Sequence, residues 1–527
     1  MNLHAPVRRT AARPSLVVAI LCLTGMTVSV MQTLVVPLLP HLPGILHAAP
    51  DDATWVLTVT LMFGAVCTPI AGRLGDMLGK KKMLLIAVSA MVVGSILCAL
   101  ATSLPLMLIG RAFQGVSIGS VALGISLMRD VLPKERLASS IALMSATLGI
   151  GGAIGLPLAS IVAEHLSWHY LFIGSAVLGA IAIVGVLAFV PESSGRSGGT
   201  FDLPGAAILS TLLIVVLFAF TKARGWGWGD PRVLGCFAAG ALLGVLFVAV
   251  ERRRAHPLVD MKVTAQPTVR YTNLASILVG FAMYSSNLVI TQLIQAPTNT
   301  GYGFGQSMVV AGLCAAPMGL LMMAVSPFAA RLITHMGPRF AFSSGIVVIG
   351  FGFLVGIFML QKVWEAIVVA MLVGAGIALS YAAAPTLIMR AAPPSQTAAA
   401  NSVNTLSRSI GTSLASAVHG AILATAFVPG GTIYGPLDPF QLCFALAVGA
   451  CVVAFVLSTR IPQKFAGPTV LSDAEALADI EDAEAGEVLD ELATQRASHQ
   501  PRRVTVVRRP ARRPAAPRRP AAQWRRK

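Results

Sequence analysis

The sequence has little charge, and few of its charges are acidic. Of its 527 residues only 12% are Asp, Glu, Lys or Arg, with 22 acidic residues against 39 basic ones, while 55% are hydrophobic. A soluble core of this size needs far less apolar surface. The composition therefore argues against a soluble globular protein and predicts a membrane protein.

Several local motifs are missing as well. No stretch has the nucleotide-binding form G-x-x-x-x-G-K-[ST], which disfavours ATP-driven transport by this chain. Nothing indicates an enzyme, a metal centre or a bound cofactor. The first apolar run, residues 16–39, has full bilayer length and no small-residue cleavage site, so we expect a retained span rather than a signal peptide.

The seven cysteines show no ligand or redox spacing. All of them fall inside apolar runs, which favours small packing residues over disulfides or metal ligands. They are Cys22, Cys67, Cys98, Cys236, Cys314, Cys443 and Cys451.

Apolar runs of about 20 residues, long enough to cross ~30 Å of hydrocarbon, recur along the chain. They are too long and continuous for barrel strands, and every backbone polar group must be paired inside lipid, so we predict helices and an all-α fold class. Fourteen spans are predicted, near residues 15–40, 53–72, 83–102, 105–128, 137–163, 169–190, 203–221, 232–250, 271–296, 306–330, 340–360, 364–389, 398–427 and 438–460.

Basic residues are distributed unevenly between the loops. One set of alternate loops holds sixteen Lys and Arg residues and the other holds four. The positive-inside rule therefore predicts that both termini lie in the cytoplasm. The turn "GRLGDMLGKKK", residues 72–82, belongs to the basic set, and its lysines set the topology whether or not they have another role.

A second stretch resembles this turn. "ARLITHMGPR", residues 330–339, aligns with "GRLGDMLGKK", residues 72–81, and places Gly337 opposite Gly79 and Arg339 opposite Lys81. The echo lies between spans 10 and 11, so two six-span halves are related in parallel with spans 7 and 8 inserted between them. Parallel halves around a midplane cavity are a transporter architecture.

Domain boundaries follow from this repeat. We predict a cytoplasmic N-terminus (1–14), an N-terminal six-helix half (15–190), a linker (191–202), inserted helices 7 and 8 (203–250), a cytoplasmic linker (251–270), a C-terminal six-helix half (271–461) and a cytoplasmic tail (462–527). The tail is expected to hold a short acidic helix within 472–495 and a basic, proline-rich segment in 502–527. We expect the basic segment to bind anionic lipid headgroups and expect no nucleic-acid partner.

Three motifs carry a family resemblance. Gly72, Gly75, Asp76, Gly79, Lys80 and Lys81 look like motif A of the major facilitator superfamily. "RAFQG", residues 111–115, resembles its motif B, and "GIGGAIGLP", residues 149–157, resembles the antiporter motif C. Over residues 15–461 the chain resembles the fourteen-span drug:proton antiporter branch of this superfamily, which exports multiple drugs or antibiotics from the bacterial cytoplasmic membrane.

The resemblance implies roles for two groups of residues. Motif A would form a conformational lock, with Asp76 as the charge that steadies one conformation: Gly72, Asp76, Gly79, Lys80 and Lys81. Motif C would form a hinge and a seal, although tight helix packing is the alternative: Gly149, Gly151, Gly152, Gly155 and Pro157. The energy source would be the proton gradient, with no cofactor.

The chain departs from the family pattern at two places. Met77 stands where motif A usually has a basic residue, which removes one partner from the lock. Met31 and Gln32 stand where fourteen-span drug antiporters often carry an aspartate that exchanges protons with the motif B arginine. Neither side chain can titrate.

Ionisable residues inside the spans are few, and such residues default to functional hypotheses. Arg111 and His419 are the predicted proton-coupling residues. Arg111 belongs to the stretch that resembles motif B, and a histidine such as His419 can exchange protons near neutral pH because its unperturbed pKa is ~6.5. The alternatives are that Arg111 snorkels or packs on Gln114, and that His419 is a neutral packing residue. A third residue, Arg408, lies on the polar face of span 13, unless that helix projects far enough to bring it near the surface.

Polar faces on spans 1, 9 and 13 are the predicted substrate cavity. Their mixture of aromatic, amide and hydroxyl groups suits a bulky, largely apolar or weakly polar ligand, although amides and hydroxyls also join helices by hydrogen bonds. The predicted lining is Gln32, Thr33, Gln114, Tyr284, Asn287, Thr291, Gln295, Asn404, Arg408 and Thr412.

The sequence thus predicts a proton-coupled secondary transporter that exports drug-like or secondary-metabolite molecules. Two alternatives remain open: a dedicated exporter of one endogenous product or lipid, and a non-transporting membrane receptor or scaffold.

Overall fold

A computed structural model describes residues 14–38, 42–46, 48, 55–193, 200–298, 303–426 and 438–462. Within these ranges the chain forms fourteen long helices and no strand. The helices are α1 Pro14–Thr33, α2 Trp55–Leu78, α3 Lys80–Ala99, α4 Leu104–Val131, α5 Lys134–His165, α6 His169–Phe189, α7 Leu203–Trp226, α8 Pro231–Glu251, α9 Pro267–Gln295, α10 Met308–His335, α11 Pro338–Phe358, α12 Val363–Ala391, α13 Thr397–Ala426 and α14 Pro439–Thr459.

Thirteen of these helices are long and apolar enough to cross a membrane. The exception is α13, which is 30 residues long but carries the polar residues that the sequence places on one face. A helix that is buried among other helices can keep such groups if they are hydrogen-bonded. The predicted all-α class and the number of long helices are confirmed.

The helices form two six-helix halves, α1–α6 and α9–α14, with α7 and α8 inserted between them. Two apolar cores lie in the first half, one around Leu84 and Met128 and one around Leu42 and Phe172. A larger core, which includes Phe353 and Phe444, occupies the second half. Each half therefore has its own packed interior.

The same turn occurs in both halves, as the repeat predicts. Gly79 begins α3 with a φ of 112°, and Gly337 begins α11 with a φ of 92°. These φ values are accessible to glycine without the steric cost that a Cβ would add. We call the end of the bundle that holds the α2–α3 turn the basic end.

The inserted helix α7 packs over both halves. Its residues Leu209 and Leu213 share one apolar cluster with Ala65 of α2 and Leu406 of α13. The Asp202 side chain accepts a hydrogen bond from the Gly205 amide at 3.0 Å and so caps the start of α7. The insertion therefore lies over the seam where α2 and α13 meet.

Two helices change their winding in mid-course. A π-helical segment, Ser286–Ile290, interrupts α9, and a 3₁₀ segment, Ser117–Gly119, interrupts α4. Such irregular turns often mark functional positions in helices, because they redirect the side chains that follow. Asn287, a predicted cavity residue, lies inside the π segment.

All seven cysteines are free, in agreement with the predicted packing role. The predictions for residues 1–13 and for the tail from residue 463 onward, including its acidic helix and its lipid contact, lie outside the described residues.

Candidate functional site

The Asp76 side chain joins the two halves at the basic end. It is fully buried, and its carboxylate accepts hydrogen bonds from the backbone amides of Ala398, at 3.2 Å, and Ala399, at 2.8 Å. These amides belong to the first turn of α13, where backbone N–H groups have no partner within the helix. The negative charge also lies at the positive end of the α13 dipole, so Asp76 caps a helix of the opposite half.

Lys80 stabilises the same contact. Its side chain is fully buried, and its Nζ lies 2.6 Å from Asp130 Oδ2, 2.9 Å from Thr397 Oγ1 and 3.6 Å from Asp76 Oδ1. Topology alone therefore does not account for Lys80, because a buried ammonium needs partners that a surface lysine does not. Lys80 thus has a structural role besides its topological one, and Asp130 joins this contact as a residue that the sequence analysis missed.

The other lock residues hold the turn and the packing. The Lys81 Nζ donates to the Leu187 carbonyl at 3.2 Å near the end of α6, and the Lys81 amide donates to Glu192 Oε1 at 3.2 Å. A Cβ on Gly72 would collide with Ser402 on α13. The absence of a side chain at Gly72 therefore lets α2 and α13 approach closely.

The glycines of motif C pack α5 against its neighbours. A Cβ on Gly149 would collide with Met322 of α10, and one on Gly151 or Gly155 would collide with α1. Ser29 and Thr33 of α1 donate to the Leu148 and Gly151 carbonyls at 2.8 and 3.3 Å. Gly149, Gly151 and Gly155 thus permit close contact between helices, which is the packing alternative, whereas Gly152 has open space around it. The helix α5 runs through Pro157 without a break.

Arg111 is completely buried, so it does not snorkel, but it does pack on Gln114, which is the other half of the predicted alternative. Its Nε donates to the Val56 carbonyl at 3.1 Å, and its Nη1 donates to Gln114 Oε1 at 2.6 Å. The Met31 sulfur lies 3.7 Å from Nη1, where the family pattern would have an acid nearby. The second terminal nitrogen, Nη2, is buried with no hydrogen-bond partner among the described residues.

Gln114 continues this polar chain across the first half. It is fully buried, and its Nε2 donates to Ser95 Oγ at 2.8 Å, which lies 3.3 Å from Ser175 Oγ. These contacts explain how a long amide is accommodated in α4.

Arg408 is 7% exposed, so its side chain is buried among the helices and does not extend into solvent. Its guanidinium lies over the Tyr381 ring at 4.4 Å, and its Nη2 donates to Thr405 Oγ1 at 3.2 Å. Stacking on an aromatic face suits a guanidinium, because the ring presents negative charge there. Tyr381 was not predicted as a site residue.

Asn404 and Thr412 have partners within the helical packing. Asn404 Nδ2 donates to Asn273 Oδ1 at 3.0 Å and to Ser276 Oγ at 2.9 Å, both on α9. The Thr412 hydroxyl donates to the Ser409 carbonyl of its own helix at 2.8 Å. For Asn404 these bonds support the alternative of joining helices, and in this conformation it is fully buried.

His419 is fully buried between α13 and α9. Its Nε2 lies 2.6 Å from Ser285 Oγ, and its ring is 4.9 Å from that of Phe281. Because Ser285 donates its proton to the Phe281 carbonyl at 2.7 Å, its oxygen accepts from His419, which places the imidazole proton on Nε2. Nδ1 is then a buried lone pair without a partner among the described residues.

The predicted cavity faces of α1 and α9 are half-buried. Their amides bond to their own helices: Asn287 Nδ2 to the Met283 carbonyl at 3.1 Å, and Gln295 Nε2 to the Thr291 carbonyl at 3.2 Å. Such side chains satisfy one polar group locally and remain free to bind a ligand with the other. Gln32, Thr33, Tyr284 and Thr291 share this partial exposure.

The structure therefore brings Gly72, Asp76 and Lys80 of the predicted lock together around the start of α13. Gly79 and Lys81 lie instead near Glu192 and the end of α6. The two predicted proton-coupling residues lie apart. Arg111 contacts α1, α2 and its own helix, whereas His419 contacts α9. Among the residues that sequence analysis missed, Asp130 is next to the basic Arg129 near the end of span 4. An acid among the basic residues at this end of the spans was the available sign that it pairs with one of them. Tyr381 and Asn273 gave none, since their partners are distant in sequence.

Comparison with known proteins adds two kinds of similarity. A family model described as Major Facilitator Superfamily matches residues 21–252 and 272–516. The multidrug resistance protein Stp of Mycobacterium tuberculosis is 26% identical over 389 residues, covering 73% of this chain and 71% of that protein. The tetracenomycin C resistance and export protein of Streptomyces glaucescens is 25% identical over 435 residues, covering 80% and 78%.

The fold has a counterpart among solved structures. The proton:xylose symporter XylE superimposes with a TM-score of 0.59 at 11% sequence identity, and the match covers 85% of this chain and 96% of that one. At this identity the likeness describes the fold alone.

Proposed function

The chain belongs to the major facilitator superfamily, and on that premise we propose that it is a secondary active transporter that exports drug-like or secondary-metabolite molecules. The observation that carries the proposal is the lock: Asp76 of one half caps α13 of the other half with two backbone hydrogen bonds. Relatives named for multidrug resistance and for tetracenomycin C export support the direction and the class of cargo.

Alternating access follows from the position of this contact. The lock closes the basic end, which we assign to the cytoplasmic side of a bacterial membrane, with both termini in the cytoplasm. Opening that side requires α13 to leave Asp76 and Lys80. Three contacts with α13 must break, those of the Ala398 and Ala399 amides and of Thr397 Oγ1. Asp130 stays with Lys80, because both belong to the first half. The seam therefore has two discrete arrangements rather than a continuous range.

We propose proton antiport as the energy source, with His419 and Arg111 as the coupling residues and no cofactor. His419 has an unoccupied lone pair on Nδ1 inside the membrane-embedded part of the chain, so it can accept a proton without losing an existing hydrogen bond. A proton there would stay only while an acceptor or an anion is within reach.

The test is collapse of a pH gradient in inverted vesicles that contain the full chain. The vesicles are energised, an acridine dye reports the gradient, and cationic, anionic and neutral drugs are added. We expect drug-dependent proton release from the wild type. His419→Gln should abolish it, whereas His256→Gln, an exposed histidine in the α8–α9 linker, should not.

Two results would contradict parts of this proposal. Release that survives His419→Gln would remove that residue from coupling and leave export intact. If no compound releases protons or is transported, the result favours one of the alternatives, a dedicated exporter of one product or a scaffold. Deletion of residues 463–527 separates these two, because it should disable a scaffold.

A further inference from the structure

Two arginines lie inside the membrane-embedded part of the protein without an acidic partner. Arg111 on α4 is fully buried and Arg408 on α13 is 7% exposed. Neither guanidinium has a carboxylate within 4.0 Å among the residues that the structure describes. One of them belongs to each half.

Carboxylates are absent from the interior of the described helices. Of the eleven described Asp and Glu residues, ten lie within three residues of the end of a long helix, and Asp260 lies in the α8–α9 linker. Hydrocarbon disfavours an uncompensated charge, and proteins retain such charges mainly for function. Arg111 and Arg408 thus lie at depths in their helices where the described residues include no acid.

The hydrogen-bonding capacity of these arginines is also incomplete. Arg111 Nη2 is buried and has no partner in the described part of the chain, and Arg408 makes one hydrogen bond and stacks on Tyr381. A guanidinium forms its strongest contacts with planar anions such as carboxylates, because two N–H groups can donate in parallel.

We propose that the cargo is an amphiphilic organic anion, with a bulky body of low polarity and one carboxylate, sulfonate or phenolate group. This inference rests on the proposed export function and names its substrate class. The anionic group would neutralise the buried arginines as the cargo binds. The half-buried uncharged faces of α1 and α9, which include Tyr284 and Asn287, would contact the rest of the molecule.

The same arrangement disfavours lipophilic cations. A cationic cargo would add a third positive charge to a region of low dielectric constant, where repulsion is much stronger than in water. Met31 is the residue that decides this, because its sulfur lies 3.7 Å from Arg111 Nη1. An acid at position 31 would occupy the guanidinium and remove its attraction for an anionic cargo.

The experiment compares two xanthene dyes of opposite charge. Inverted vesicles with the full chain are energised, and uptake is measured for fluorescein, an anion, for rhodamine 123, a cation, and for uncharged Nile red. Each value is corrected with vesicles that lack the protein. We expect the wild type to prefer fluorescein over rhodamine 123 by about tenfold or more.

Position 31 provides a matched pair of variants. Met31→Asp should lower that preference by about tenfold, since it supplies a counter-charge, whereas Met31→Asn has the same size without the charge and should keep it. Arg253→Gln, which removes an exposed charge outside the membrane-embedded part, is the control for net charge. Purified wild type should also be stabilised against heat by fluorescein, and Arg408→Gln should lose that stabilisation.

The outcomes separate the two proposals. Rhodamine 123 uptake equal to or above that of fluorescein would overturn the anionic substrate class and leave export standing. Uptake of Nile red alone would do the same. If none of the three dyes moves, export of drug-like molecules fails and the substrate class fails with it. Equal behaviour of Met31→Asp and Met31→Asn would overturn the role of the buried arginines.

Discussion

The α2–α3 turn and the α10–α11 turn occupy equivalent places in the two halves, yet they have different contacts. Both begin a helix with a left-handed glycine, Gly79 or Gly337. Both also place a basic side chain on the last helix of their own half: Lys81 on the Leu187 carbonyl, and Arg339 on the Thr459 carbonyl at 2.7 Å.

The difference lies in the residues that the two turns do not share. Asp76 corresponds to Thr334, and Lys80 corresponds to Pro338, in the alignment of residues 72–81 with 330–339. Thr334 is exposed and bonds to the Ala330 carbonyl of its own helix, whereas Asp76 bonds to the opposite half. The shared residues therefore stabilise each half, and the unshared ones join the halves.

Removal of Asp76 should have the largest effect. Asp76→Ala leaves two α13 amides without their acceptor and removes one of the two carboxylates beside the buried Lys80, so we expect the closed basic end to lose about 3–5 kcal/mol relative to the open one. A cysteine introduced at Ala399 should then react much faster with a membrane-impermeant maleimide, and export should fall. Thr334→Ala, at the equivalent position, should change the free energy of the closed basic end by less than about 0.5 kcal/mol, so labelling and export should stay near the wild-type rates. Equal effects of the two variants would contradict the comparison.

Lys80 should come second. Lys80→Met leaves Asp130 unpaired, but the 14% exposure of that carboxylate lets water replace the ammonium in part. We expect a loss of about 1.5–3 kcal/mol in the same labelling experiment. The double variant Lys80→Met, Asp130→Asn should recover part of it, and a strictly additive result would show that the two side chains act independently.

The glycines should have a smaller effect, and one that is similar in both halves. Gly79→Ala and Gly337→Ala each force a Cβ into the left-handed region, which costs about 1–2 kcal/mol. The thermal midpoint of the purified protein should fall by comparable amounts. Gly174→Ala, where nothing lies within 4 Å of the new Cβ, should leave it unchanged or higher. A loss confined to Gly79 would indicate that the turn serves the lock rather than the half.

The smallest change is expected at the shared basic residues. Lys81→Met and Arg339→Met each remove one hydrogen bond from a surface carbonyl, worth about 1 kcal/mol or less. Thermal midpoints should shift slightly and transport rates should stay near the wild-type value. A large transport defect in Lys81→Met alone would place that lysine in the lock.

Much of this arrangement could be predicted from the sequence. Apolar run length located the helices, and the echo of residues 72–81 at 330–339 predicted the paired turns, because a left-handed glycine and a nearby basic residue are local signals. The position of Met31 followed from the family pattern alone, and its sulfur does lie beside Arg111.

Partners that come from the other half could not be predicted. The Asp76 carboxylate accepts hydrogen bonds from amides that are more than 300 residues away in the sequence. Nothing in the sequence near Ala398 indicates that these amides donate to Asp76. The burial of Lys80 was missed for the same reason: three adjacent lysines have the same local signal, and only the tertiary fold covers one of them. Helical periodicity showed that α13 has a polar face, but not that Asn404 faces Asn273.

The position of α7 bears on the lipids that surround the protein. In the opening that we propose for the basic end, α2 and α13 would separate, and an acyl chain could then enter the gap between the two helices. Because the contacts of α7 with both helices are apolar and non-directional, they tolerate sliding that would break the bonds of Asp76. The inserted helix is therefore suited to cover the gap between α2 and α13 and to exclude lipid from it, without stabilising the closed arrangement.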